Sequence, residues 1–250
     1  MKTITSVTTL LVIIFALMIN GCSSSPSEAK SKQKQVLSQD ETQQGDSFTV
    51  IGIDVSGSYN KMTLSAQNIC KKIISNPKPG EEIANPGDEI YVRAISDESY
   101  IPIRQNGEDN TIAHTQFIKI KKNNNSFNKK ARARTIKTQK LFQKQKDQMI
   151  QSIELIDIKP SKKTDINGFV QSASDLFDNA PEGTCRILMF ATDLKDNAGF
   201  KCKPNLKGVE VTIFQFLVDA DPMTSQKRRD EWVQRFKSWG VDKVTVKPAN

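Results

Sequence analysis

Residues Ser47 to Val55 read SFTVIGIDV, a nearly unbroken β-branched and apolar run that closes on a carboxylate. A strand with one wet face alternates apolar and polar residues. This run does not, so it is covered on both faces and belongs at the centre of a sheet flanked by helices. The residues that follow supply those helices. After a turn at Gly57 to Tyr59, Met62, Ala66, Ile69, Ile73 and Ile74 recur near helical spacing up to Ser75, where the Pro77-Lys78-Pro79-Gly80 stretch stops them. Glu89 to Ile95 and Tyr100 to Ile103 read as two further strands separated by a polar turn, and Pro102 places the second at an edge, where a missing amide donor costs least. A helix over Gly168 to Phe177 is followed by a strand at Arg186 to Ala191. Another strand at Val209 to Val218 leads to a helix at Gln226 to Trp239, with Trp232, Phe236 and Trp239 on one face, and a short strand at Lys243 to Lys247. Strands alternating with helices predict an α/β fold: a doubly wound, mostly parallel sheet with an antiparallel edge strand, filling one domain over residues 47–250.

Ligands of such sheets collect just beyond the carboxyl ends of the strands. Three segments there carry oxygen-bearing side chains: Asp54-Val55-Ser56-Gly57-Ser58, Lys163-Thr164-Asp165-Ile166-Asn167-Gly168 ahead of a helix, and Ala191-Thr192-Asp193 at the end of a strand. With two carboxylates, three hydroxyls and no neighbouring His or Cys, Asp54, Ser56, Ser58, Thr164 and Asp193 suit a hard cation, Mg²⁺ or else Mn²⁺ or Ca²⁺, better than zinc. Such a set leaves room on the ion for water or for one outside oxygen. Each segment alone also fits a structural role: Thr164 as a helix cap, Asp193 and Asp54 as turn carboxylates.

In that order the three segments resemble the metal-ion-dependent adhesion site of the von Willebrand factor A family. There an Asp-x-Ser-x-Ser turn, a Thr and a later Asp hold a divalent ion, whose last ligand is an acidic residue of a partner protein. The resemblance spans Ser47 to Val218 and implies that Asp54, Ser56, Ser58, Thr164 and Asp193 are the ligands. Two features depart from it. Leu194 stands where many relatives have glycine, and no helix is evident after the last strand of the kind integrin domains move, so an integrin-like affinity switch is not expected.

Lys2 and the apolar run Leu10 to Ile19 read as a signal for export, too short to span a membrane. Ile19-Asn20-Gly21-Cys22 looks like the lipobox of bacterial lipoproteins, which implies cleavage after Gly21 (residues 1–21) and a lipid on Cys22. The alternative is an ordinary signal peptide with an incidental cysteine. Residues 22–46 form a Ser-, Lys- and Gln-rich tether reaching about 25–30 Å from the anchor. Of the remaining cysteines, Cys185 and Cys202 are candidates for a disulfide on one rim of the sheet, the alternative being three unpaired thiols.

The sequence's net charge of +8 is concentrated in an insertion over about 118–156, where Lys119 to Lys146 contains no acidic residue. Phe142, Met149, Ile153 and Ile156 recur at helical spacing, which predicts a long helix packed by one face. Its Lys129, Lys130, Arg132, Arg134, Lys137 and Lys140 are either a solvated face or a dock for anionic lipid, wall polymer or an acidic protein. Nucleic acid is not expected, since the aromatics that would stack on bases are nearly absent there. The only histidine, His114, is expected on a surface loop. No nucleophile elbow surrounds Ser56, and Ser56 stands where an aspartyl phosphotransferase would want a second carboxylate. The sequence therefore reads as a non-enzymatic, envelope-anchored binding module. The alternative is a scaffold that uses the basic helix beside a vestigial metal site.

Overall fold

The computed structural model describes residues 46–75, 83–120, 129–155 and 160–249. The leader, Cys22 with its lipobox, the tether up to residue 45, and Ile156 lie outside the described residues.

The run that opens the domain is β1 (Ser47–Asp54), and all but its first residue are buried. It is followed by α1 (Asn60–Ser75), β2 (Glu89–Ile95), β3 (Thr111–Gln116), α2 (Lys129–Glu154), α3 (Ile166–Asp178), β4 (Cys185–Ala191), β5 (Val209–Phe216), α4 (Pro222–Ser238) and β6 (Val244–Pro248). The strands form one sheet in the order β3-β2-β1-β4-β5-β6, a doubly wound arrangement. β1 lies between β2 and β4 and is parallel to both. Only β3 runs antiparallel, on the outer side of β2. The mostly parallel α/β sheet with an antiparallel edge is thus as the sequence predicts.

Successive residues of the inner strands feed two separate cores, as the twofold pleat requires. Ile51, Ile53, Val92, Met189 and Phe214 meet Ala66, Cys70 and Ile74 of α1 and Met149 and Ile153 of α2 on one face. Val50, Leu188, Phe190, Val211 and Ile213 meet Phe169, Ala173 and Phe177 of α3 and Trp232 and Phe236 of α4 on the other. Gly52 lets α3 settle on the central strand: a Cβ there would lie 2.6 Å from the ring of Phe169. The basic helix is held by its second half, where Phe142 packs edge-on against Phe117 at 5.3 Å and Lys71 pairs with Glu154 at 2.8 Å.

Two sequence expectations are corrected near the edge. Tyr100 to Ile103 is not a strand; the edge strand is β3, which follows it. The carbonyls of Ser99 and Ile101 accept from the buried Arg93 guanidinium at 3.2 and 3.1 Å, and Asn110 donates its side-chain amide to the Ile101 carbonyl at 2.9 Å. Those backbone groups are committed to a side-chain-held loop rather than to a ladder. His114 lies on β3 rather than in a loop, stacked on Tyr91 at 3.8 Å and 2.9 Å from Glu89 Oε1.

Candidate metal site at the carboxyl rim

β1 and β4 run in parallel and end side by side, so Asp54 and the Thr192-Asp193 pair emerge at the same rim. The third segment is drawn in by backbone bonds. Ser161 N donates to Val55 O at 2.9 Å and Gly57 N to Ser161 O at 2.9 Å, while Asp165 N donates to Ser96 O, just past β2, at 2.6 Å. Residues 161–165 therefore lie against the Asp54 turn before entering α3. Asp165 caps that helix, its carboxylate accepting from Gly168 N at 2.8 Å. A side chain at Gly168 would collide with that carboxylate, which accounts for the glycine in Thr-Asp-Ile-Asn-Gly.

Asp54 is fully buried. Its Oδ1 accepts from Ser56 N at 2.8 Å and its Oδ2 from the Thr192 hydroxyl at 2.7 Å. Burial pushes its carboxyl up to about 6, opposed by the hydrogen bonds from Ser56 and Thr192 and assisted by the negative charge of Asp193. The two carboxylates are therefore close enough to repel. Ser56 is buried and Ser58 exposed, with their hydroxyl oxygens 3.2 Å apart. Thr164 is held by its backbone, its N donating to Asn197 Oδ1 at 2.8 Å and its carbonyl accepting from Asn197 N and Ala198 N at 3.0 and 3.2 Å. Its Oγ1 is buried without a partner. Asp193 is fully buried too; its Oδ1 accepts from Lys195 N at 3.0 Å, and its Oδ2 receives no hydrogen bond but faces the Lys195 ammonium at 3.4 Å.

Buried polar atoms left without hydrogen bonds are uncommon because each forfeits its hydration. Besides atoms of Ser47, Thr49, Arg93, Arg104, Asp196 and Gln215, those of the described residues include Thr164 Oγ1 and Asp193 Oδ2, which belong to side chains that the sequence nominates as ligands and are oxygens suited to a hard cation. The residues present fit such an ion. Among the described residues no cluster of three or more His, Cys, Asp or Glu side chains could hold a metal; here two carboxylates are supplemented by hydroxyls. Thr192 was not singled out in the sequence, although it sits in the same Ala-Thr-Asp segment. Nothing local marks a threonine whose hydroxyl holds a carboxylate 138 positions away.

Leu194 adopts φ 61°, the left-handed conformation that favours glycine. That conformation costs a bulky residue about 1–2 kcal/mol. Leu194 is held in it by burial in the aromatic core and by the Trp232 indole, which donates to its carbonyl at 3.0 Å. The loop thus takes a glycine-like course with a leucine.

The disulfide expectation fails: Cys70, Cys185 and Cys202 are all free. Cys185 is the first residue of β4, at the amino rim, whereas Cys202 Sγ lies 3.6 Å from Asn167 Oδ1 in the first turn of α3, at the carboxyl rim. The length of a strand separates them, far beyond disulfide reach. Lys129, Lys130, Arg132, Arg134, Lys137 and Lys140 are all exposed on the first half of α2. Lys146 instead turns inward and is buried, 5.7 Å from the Phe142 ring.

No protein-family model matches the sequence, and no curated protein sequence matches it. Solved structures give distant likenesses. One is proximal thread matrix protein 1 from the mussel byssus with a zinc-occupied MIDAS motif, at 12% identity over 82% of this chain and 42% of that one, with a TM-score of 0.44. A von Willebrand factor type A structure from Catenulispora acidiphila is 14% identical over 78% of this chain and 43% of that one, at 0.43. The pilus adhesin SpaC from Lactobacillus rhamnosus GG, in its open conformation, is 12% identical over 83% and 28%, at 0.46. The chain spans less than half the length of each. The sheet order β3-β2-β1-β4-β5-β6, with only β3 antiparallel, is that of a doubly wound α/β fold.

Proposed function

We propose that this domain is a divalent-cation-dependent protein-binding module, tethered to the bacterial cell envelope through a lipid on Cys22. The observation that carries the reading is the pair of buried oxygens without hydrogen bonds, Thr164 Oγ1 and Asp193 Oδ2, at the rim where Asp54 is also buried. Asp54 and Asp193 would supply the charge, and Ser56, Ser58 and Thr164 neutral oxygens. A dication so held keeps net attraction for one more oxygen, and the ligand that fits is an Asp or Glu carboxylate of a partner protein. Thr192 and Ser56 N fix the orientation of Asp54, and the Asn197 contacts fix that of Thr164. In this reading the residues grip rather than catalyse, and Mg²⁺ is the first ion to test, with Mn²⁺ and Ca²⁺ beside it.

Calorimetric titration of the metal-free domain with Mg²⁺ and Mn²⁺ is the direct test. One-site binding that disappears in Asp54→Ala, with the variant still folded, supports the reading; identical heats in both proteins refute it. A pull-down from envelope extract with and without EDTA tests the partner. Loss on chelation fits a metal-bridged carboxylate. Retention favours the second reading, in which the exposed basic half of α2 does the binding and the metal site is vestigial. Metabolic labelling with a fatty acid, lost in Cys22→Ala, tests the anchor. Among the described residues, no helix is long and apolar enough to cross a membrane.

A further inference from the structure

One cation already stands at the candidate site. The Lys195 ammonium lies 3.4 Å from Asp193 Oδ2, the oxygen that lacks a hydrogen bond, and donates to Asp219 Oδ1 at 2.7 Å. Asp219 is itself fixed. Its Oδ2 accepts from Arg228 at 2.6 Å and its backbone N donates to Ser225 Oγ at 2.8 Å, while Arg228 also donates to the Asp193 carbonyl at 2.8 Å. The partners differ in freedom: the Asp193 side chain is 0% exposed, that of Lys195 37%. A fully buried carboxylate therefore shares a partly exposed ammonium with a second carboxylate nearer the surface.

We infer that Lys195 is an internal competitor for the metal, resting against the Asp193 oxygen that a cation would take, and that Asp219 is the dock to which it is held when a cation arrives. This rests on the metal-binding reading above and adds the regulation of that site. A dication on Asp193 and an ammonium a few ångströms away repel each other, so one carboxylate cannot serve both at close range. Asp219 lowers the cost of the exchange. It already holds Lys195 by the shorter contact and keeps Arg228 as a second cation in either state. The arrangement gives Asp193 a counter-charge without metal and sets the metal affinity below what the bare oxygens would give.

The test is a double-mutant cycle read by calorimetric Mn²⁺ titration, with metal-free urea unfolding recorded for each protein. Lys195→Met, which keeps length and loses charge, binds Mn²⁺ about two- to fivefold more tightly, the scale of a partly exposed ion pair. Its metal-free urea midpoint falls, because Asp193 loses its counter-charge. Asp219→Asn binds more weakly, since Lys195 then has only Asp193. In the Lys195→Met background, Asp219→Asn has little effect on affinity, because Asp219 acts through Lys195. Lys195→Gln repeats the measurement with a second neutral side chain. Wild-type binding with unchanged affinity in both neutral variants, or strictly additive effects around the cycle, overturns the competitor role and leaves the metal site standing. No Mn²⁺ binding by the wild type removes the site itself, and the inference with it.

Discussion

The carboxyl rim and the first half of α2 are the two polar regions that a partner could meet, and they are built in opposite ways. The rim sets charges of both signs against one another, and Asp54 and Asp193 are completely buried. The helix carries Lys129, Lys130, Arg132, Arg134, Lys137 and Lys140, all exposed. Burial makes the difference. In water a charge is solvated at no expense and interacts weakly beyond a Debye length of about 8–10 Å. In a dry site the same charge shifts its own protonation, repels its neighbour and requires compensation. Asp54, raised to about 6, shows that response.

The contrast yields a graded set of expectations. Replacing Asp54 by Ala has the largest effect, removing a charged ligand and lowering Mg²⁺ or Mn²⁺ affinity by about a thousandfold or more, roughly 4 kcal/mol; titration calorimetry measures it, and a loss below about tenfold would place the ion elsewhere. Next comes the pH dependence of the metal-free domain. Asp54 rises from 3.8 to about 6 on folding, so its contribution is fully present below pH 4 and is lost as pH rises through about 6. That amounts to about 3 kcal/mol of declining stability across the window. Asp54→Asn should flatten this part of the urea-unfolding profile and leave the metal-free protein more stable at pH 7; an unchanged slope would show that Asp54 is not the group responsible.

A smaller change follows from Thr192→Val, which removes the hydroxyl donated to Asp54 Oδ2. Metal binding should weaken about tenfold, in line with the loss of a hydrogen bond that orients a ligand. Its pH midpoint should move upward, because the carboxylate loses a bond that favours its charged form. The smallest effect belongs to α2. Changing Lys137 and Lys140 to Gln should alter stability by less than about 0.5 kcal/mol and leave metal affinity unchanged. If α2 is a dock, co-sedimentation of the unlipidated domain with anionic liposomes is weakened by the same changes and by added salt. A metal affinity that tracked the α2 charges would erase the distinction between the two regions.

The central strand was legible because nothing but burial on both faces explains SFTVIGIDV, and the helices because their apolar spacing is plain. β3 was not, since TIAHTQ is an edge strand with polar residues along much of its length. Tyr100 to Ile103 looked more strand-like, yet its carbonyls are taken by Arg93 and Asn110, contacts set by tertiary structure and invisible in local pattern. The positions of Asp54, Thr164 and Asp193 at one rim could be anticipated from the rule that strand ends collect ligands. The support of Thr192 and the Lys195, Asp219 and Arg228 network could not. These contacts join residues whose proximity depends on how β4, β5 and α4 pack. The proposed disulfide failed for a related reason: closeness of the two cysteines was inferred from strand order, without the length of β4 that lies between them.

The site lies at one end of β1 and Ser47 at the other, about 25 Å away for a strand of eight residues. Were a partner bound at the Asp54 turn and the chain held upstream of Ser47, as proposed above, tension would run lengthwise through this one segment. With β2 and β4 paired to it on either side, such a load would fall on many backbone hydrogen bonds at once, as shear, instead of peeling them singly. If the domain binds at the Asp54 turn and is held upstream of Ser47, as proposed above, β1 carries the pull, paired on both sides by β2 and β4.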